Sequence, residues 1–199
     1  MEEPRFAALA ELGEIGLQQA HALYQEYLAD PSDPPWRDVL LPRSGPSLGF
    51  LLAGGVVGIA YGGPARRQPG CLILRGIAVA GAHAQKGRGS LLLYRFEEQA
   101  RAAGFNTVSV GSAGGYVDRF YAKNGYRCVA YLVDPPAGTD GPEQRRRPYA
   151  DYIGPAESAE RFRVDTAAMD EALRARFLAD FDGAGLNAIM DKDIRDAPG

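Results

Sequence analysis

Apolar and polar positions along this 199-residue chain switch between a period of two and a period near four, and each switch marks an element. Residues 4–10 read as a short first strand. Residues 15–29 predict a helix with Ile15, Gln19, Ala22 or Leu23, and Tyr27 along one side. It ends at Asp30-Pro31-Ser32-Asp33-Pro34-Pro35, because no helix runs through such prolines. Trp36 opens one further turn. Two apolar runs, 47–53 and 56–61, flank Gly54-Gly55, which is a hairpin signal. The next run, 71–80, is broken only by Arg75 and Gly76 and reads as a buried strand. Beyond Gly89 the period becomes helical. Leu92, Phe96, Gln99 and Ala103 share one side, Glu97, Glu98 and Arg101 lie on others, and Gly104 stops the helix. A strand over 106–111, a short helix over 116–124 closed by Gly125, and a strand over 126–133 follow. Residues 149–153 predict the last strand.

The segment beyond residue 155 has its own pattern. Met169, Leu173, Phe177 and Phe181 recur every four residues, with Asp165 placed as N-cap and Gly183 as stop. Leu186, Ile189 and Met190 predict a second short helix. The chain therefore divides into a domain over 1–155 and a C-terminal helical extension over 156–199. An apolar stripe needs cover, either from this domain or from a partner subunit in a homodimer. The stretch 180–185 faintly resembles a calcium loop, but Ala184 stands at its fifth position and Asp191, not a glutamate, at its twelfth. No metal site is expected.

Composition narrows the class. Hydrophobic content of 46% and charged content of 24% are those of an ordinary globular protein. Cys71 and Cys128 sit in apolar, strand-like contexts and read as reduced core thiols. No run approaches the ~20 apolar residues of a membrane span, and the acidic start Met1-Glu2-Glu3-Pro4 is unlike a signal peptide. The expectation is a cytoplasmic protein with no membrane partner. A net charge of −3 argues against nucleic acid. Yet no acidic residue lies between Asp38 and Glu97, while Arg43, Arg66, Arg67, Arg75, Lys86, Arg88 and Arg95 do. That basic section suits a polyanionic cofactor, or is a chance cluster of solvated arginines.

Ala84-Gln85-Lys86-Gly87-Arg88-Gly89-Ser90 joins the end of a strand to the start of a helix. Unpaired backbone N–H groups and the positive end of the helix dipole favour an anion there. The glycines admit a phosphate close to the main chain, and Lys86 and Arg88 add charge, so the turn reads as a pyrophosphate cradle. It is not a Walker loop, whose lysine follows the second glycine. Nor is it a dinucleotide fingerprint, since Leu92 stands where a third glycine belongs.

The turn resembles the acyl-coenzyme A loop of the GNAT superfamily of N-acetyltransferases, written Gln/Arg-x-x-Gly-x-Gly/Ala. Phe120-Tyr121-Ala122-Lys123-Asn124-Gly125-Tyr126 resembles that family's Phe-Tyr-x-Lys-x-Gly-Phe/Tyr signature. The likeness covers roughly the first 155 residues and is firm over 72–133. It implies an α/β (α+β) fold, a mixed and mostly antiparallel sheet flanked by helices, with acetyl-CoA as co-substrate. The fourth strand's end at Ile77, Ala78 and Val79 would polarise the acyl carbonyl and pair with pantetheine. Gln85, Lys86, Gly87, Arg88, Gly89 and Ser90 would hold the diphosphate, with Gly114 also near the cofactor. Tyr121 would act as general acid toward the departing thiolate. Trp36 and Tyr24, with Tyr27 beside them, would meet a small-molecule or peptide amine that attacks directly in a ternary complex.

Departures from the pattern leave a second reading open. Ala84 stands where the loop pattern has Gln or Arg, and Gln85 comes one place late. Gly114 stands where the family often has asparagine, and Val117 replaces its usual alanine. The fourth strand offers Ile73, Leu74 and Arg75 but no carboxylate as general base; His83 lies near the phosphates and His21 in the first helix. The alternative is therefore a catalytically weak module that binds acyl-CoA or a protein. The run Arg145-Arg146-Arg147 hints at an anionic acceptor, or is a solvated loop.

Overall fold

Four of the expected apolar runs pair as antiparallel strands in the order β1 (Arg5–Ala8), β2 (Ser47–Leu52), β3 (Gly55–Pro64) and β4 (Cys71–Val79). The structure, a computed structural model, describes residues 4–31, 33–42, 44–52, 54–84, 87–112, 114–134, 153–154, 162–180 and 185–195. Helices and strands are interspersed along it, and helices flank an open mixed sheet, which is the α/β class expected. The chain forms two units, Met1–Ser109 with Asp193–Gly199, and Val110–Lys192.

In the first unit, Gly54 takes a left-handed φ of 75° at the β2–β3 turn, as the hairpin signal requires. Helix α1 (Glu14–Tyr27) lays Leu17, Ala20, Leu23 and Tyr24 into a core with Leu9, Leu40, Ile59, Tyr61 and Ala78. This corrects the expected face: Ile15 is 79% exposed and Tyr27 43%. Many phases fit so mixed a helix, and the surface of β3 selects the one at positions 17, 20 and 24. A short α2 (Trp36–Leu40) follows the proline loop. Helix α3 (Arg88–Ala102) buries Leu92, Leu93, Phe96 and Ala100, and also Glu97, which the periodicity placed off the packed face.

Close approach of α3 to β3 depends on small residues. A Cβ at Gly62 would stand 2.3 Å from the Ile73 carbonyl oxygen and 2.9 Å from Phe96 Cζ. Both obstacles are packed, and one is backbone. Gly62→Ala is expected to cost about 3 kcal/mol, read as a lower denaturant midpoint at unchanged slope. A loss under about 1 kcal/mol would show that the strand shifts freely. Where β3 meets β4 the register slips between Tyr61 and Gly62, because Gly62 faces Leu74 while Tyr61 faces Gly76. Arg75 is the extra residue of that bulge and is exposed.

Strand β5 (Thr107–Ser112) leads from the first unit into the second. The second unit holds α4 (Tyr116–Lys123), β6 (Arg127–Asp134), β7 (Ile153–Gly154), β8 (Phe162–Asp165), α5 (Glu171–Asp180) and β9 (Gly185–Asp193). Its strands pair antiparallel in the order β9-β6-β8-β7. Beyond residue 155, then, the described residues are not all helical. The second helix expected at 186–190 is the strand β9, in which Ala188 and Met190 are buried two positions apart against β6. Asp165 ends β8 and pairs with Arg163; the cap of α5 is Asp170, whose Oδ1 accepts the Leu173 N–H at 2.9 Å. Phe177 is buried against the Tyr131 ring of β6, centroids 6.2 Å apart, so that part of the stripe is covered within its own unit. The Tyr131 hydroxyl accepts the Asp170 N–H at 2.9 Å and donates to the Asp170 carbonyl at 3.1 Å. Both cysteines are buried free thiols, as expected. Residues 149–152, Arg145 to Arg147 and the 181–184 part of the calcium-like stretch lie outside the described residues.

Candidate active site

The cradle begins where β4 ends. Ala60, Ile59 and Gly58 of β3 face Ile77, Ala78 and Val79, and the Ala80 N–H donates to the Val57 carbonyl at 2.8 Å. A 3₁₀ turn over Gly81–His83 follows, and the Gly81 N–H donates to the Tyr27 hydroxyl at 3.1 Å. Tyr27 thus braces the turn rather than joining Tyr24. Gln85 and Lys86 lie outside the described residues. Gly87 then caps α3 at φ 72°, a left-handed conformation that costs glycine little, and no side chain caps the helix. The first helical bond to Gly87 comes from the Leu91 N–H, at 3.0 Å. The amides of Arg88, Gly89 and Ser90 therefore have no helical partner, and no acidic residue offsets the dipole in that turn. Arg88 Nη1 donates to His83 Nδ1 at 2.6 Å. Since a guanidinium only donates, Nδ1 is the acceptor of that bond.

Trp36 and Tyr24 come together. They line a cavity of about 400 Å³ with Gln25, Asp30, Asp33, Pro31 and Pro34. Trp36 stacks on His21 at 4.2 Å, and the Arg37 guanidinium lies 4.6 Å from its ring centroid. The Tyr24 ring belongs to the core, while its hydroxyl donates to the Asp33 carboxylate. Burial first, and then that carboxylate, push the Tyr24 phenol up to about 12.

In the second unit, Gly114 and Gly115 both take positive φ, 103° and 63°, and deliver the chain into α4. Tyr121 is 4% exposed, with the Phe120 and Tyr126 rings 5.1 and 5.4 Å away. Burial alone, without a charged neighbour, lifts its phenol well above the ordinary value near 10. Sequence reasoning missed one partner of this helix. Arg174 of α5 donates to Asp118 of α4 at 2.8 Å, and its guanidinium stands where a side chain at Gly114 would be. Residues 56 positions apart give no periodic signal of such a pair.

The profile of the Acetyltransferase (GNAT) family matches residues 16–126, more than half of the chain. The chain belongs to that family. Solved structures share its fold: an N-acetyltransferase from Staphylococcus aureus Mu50 (16% identity, 97% of this chain and 99% of that one, TM-score 0.59), the ribosomal-protein-S18-alanine N-acetyltransferase from Escherichia coli (13%, 98% and 97%, TM-score 0.59), and an acetyltransferase from Bacillus subtilis in complex with CoA (17%, 96% and 99%, TM-score 0.56). Comparison with the curated proteins gives no match. Among the described residues, no helix is long and apolar enough to cross a membrane.

Proposed function

We propose that this protein transfers an acetyl group from acetyl-CoA to a primary amine by direct attack in a ternary complex. The observation that carries the reading is the start of α3: a left-handed glycine followed by three amides without helical partners, directly after β4, inside the matched family region. Those amides, with Arg88, Gln85 and Lys86, hold the diphosphate. Main-chain groups of Ile77, Ala78 and Val79 hold the acyl arm as an added strand would. The carboxylates of Asp30 and Asp33, beside Trp36, draw a cationic amine toward the cavity. The bound ammonium first gives one proton to solvent water, which frees its lone pair; as the new C–N bond then forms and the thioester C–S bond breaks, nitrogen loses its second proton and sulfur gains one. The Tyr121 hydroxyl donates toward the sulfur, and its raised pKa keeps it protonated at neutral pH.

The absence of a carboxylate from Ile73, Leu74 and Arg75 of β4 favours the second reading, an acyl-CoA-binding module. Two measurements separate them. Coenzyme A at 100 times its Kd is expected to stabilise the fold by about 2.7 kcal/mol under either reading. Thiol release from acetyl-CoA above background, with at least one member of a panel of amines, is expected only of the enzyme. Stabilisation without any thiol release would establish the module.

A further inference from the structure

We propose that Arg174 is a positioning residue of the acyl-transfer site: from α5 it supplies, at residue 114, the polar side-chain group that a glycine there lacks. The proposal rests on the acetyltransferase reading above. Its basis is a close fit. A Cβ on Gly114 would lie 1.9 Å from Arg174 Nη2 and 2.9 Å from Cζ, so the guanidinium fills the volume of a side chain at that position. Nη1 donates to Asp118 Oδ2 at 2.8 Å, and the two side chains are only 19% and 9% exposed. Asp118 lies in the first turn of α4, three residues before Tyr121. Its other oxygen, Oδ1, is buried without a hydrogen-bond partner among the described residues.

Arg174 is fixed at both ends. Its own N–H donates to the Asp170 carbonyl at 3.0 Å, and Asp170 is tied to β6 through the Tyr131 hydroxyl. The tip spans the glycine turn and the first turn of α4, and so sets where the tyrosine-bearing helix begins. Placing a cation at a helix N-terminus is unfavourable by itself, and burying it adds desolvation. Asp118 offsets both. Stability alone would be served as well by apolar residues of similar volume; what a guanidinium adds is a rigid fork whose remaining N–H groups stay beside Gly114.

The test uses the full chain, an amine on which the wild type turns over, and Tyr121→Phe as reference. Arg174→Ala is expected to lower kcat between about tenfold and a hundredfold, with the KM for acetyl-CoA changed less than about threefold. Gly114→Asn is expected to do likewise, because its side chain evicts the guanidinium and because any side chain at φ 103° is strained. The double variant Gly114→Asn/Arg174→Ala is expected to recover at least about tenfold over the worse single variant, since the amide then occupies the vacated volume. Should Arg174→Ala not fold, Arg174→Met/Asp118→Leu keeps a neutral packed pair and is expected to remain folded with low kcat. Either of these two variants within about twofold of wild-type kcat, or a double variant no better than the singles, overturns the proposal while leaving the acetyltransferase reading intact. Wild-type turnover by Tyr121→Phe removes Tyr121 from the chemistry and overturns this proposal alone; no thiol release by the wild type overturns the acetyltransferase reading and this proposal with it.

Discussion

Tyr121→Phe is expected to lower kcat about a hundredfold or more while coenzyme A still stabilises the fold. The substitution removes one hydroxyl and leaves the ring among Phe120 and Tyr126, so packing is retained and the loss is chemical. The pH dependence follows from the direction of the shift. An acid works while protonated, and burial moves this phenol upward from its ordinary value near 10. Tyr121 therefore stays protonated at every pH below about 10, and the wild-type kcat has no descending limb due to it in that range. A limb near pH 8 that vanishes in Tyr121→Phe would contradict the burial; unchanged kcat in the variant would remove Tyr121 from the chemistry.

Ser90→Glu is expected to move stability and affinity in opposite directions. Ser90 is the third residue of α3, partly exposed, in a first turn without acidic residues. A carboxylate there meets the positive end of the helix and stabilises by about 0.3–1 kcal/mol. The same charge repels a diphosphate held by the same amides. Two unit charges 4 Å apart interact by about 4 kcal/mol at an effective dielectric of 20. Allowing half for screening leaves about 2 kcal/mol, or about thirtyfold in the KM for acetyl-CoA. A higher melting temperature with unchanged KM would place the diphosphate elsewhere. Because the two effects have opposite signs, general damage to the fold cannot imitate the expected pair.

What was legible in the chain was local. Gly54 punctuates the hairpin, the run from Cys71 ends at the cradle, and Gly87 opens α3 in the left-handed conformation that the turn needs. Each is decided by residues within a few positions of one another. What was not legible depends on distant surfaces. The buried side of α1 follows β3 rather than its own apolar spacing, which is why Ile15 faces outward. Glu97 is buried although its side chain ends in a carboxyl group. Leu186, Ile189 and Met190 fit a helical stripe as well as a strand, and pairing with β6 settles the matter. The same holds for the candidate site. Tyr121 and the cradle stand out as motifs, whereas Asp118 carries no mark that a guanidinium from α5 completes it.

The strand order of the second unit also bears on how the protein is made. Asp134 of β6 meets Gly185, and Arg127 meets Asp191. At translation rates of about 5–20 residues per second, roughly 3–12 s separate the emergence of the two strands. Through that interval a nascent chain carries Cys128, Ala130, Tyr131 and Val133 on a border with no neighbour. An unpaired apolar edge is a template for other chains. The price of placing α5 between two adjacent strands is thus a window of vulnerability on the ribosome, which closes only when β9 arrives.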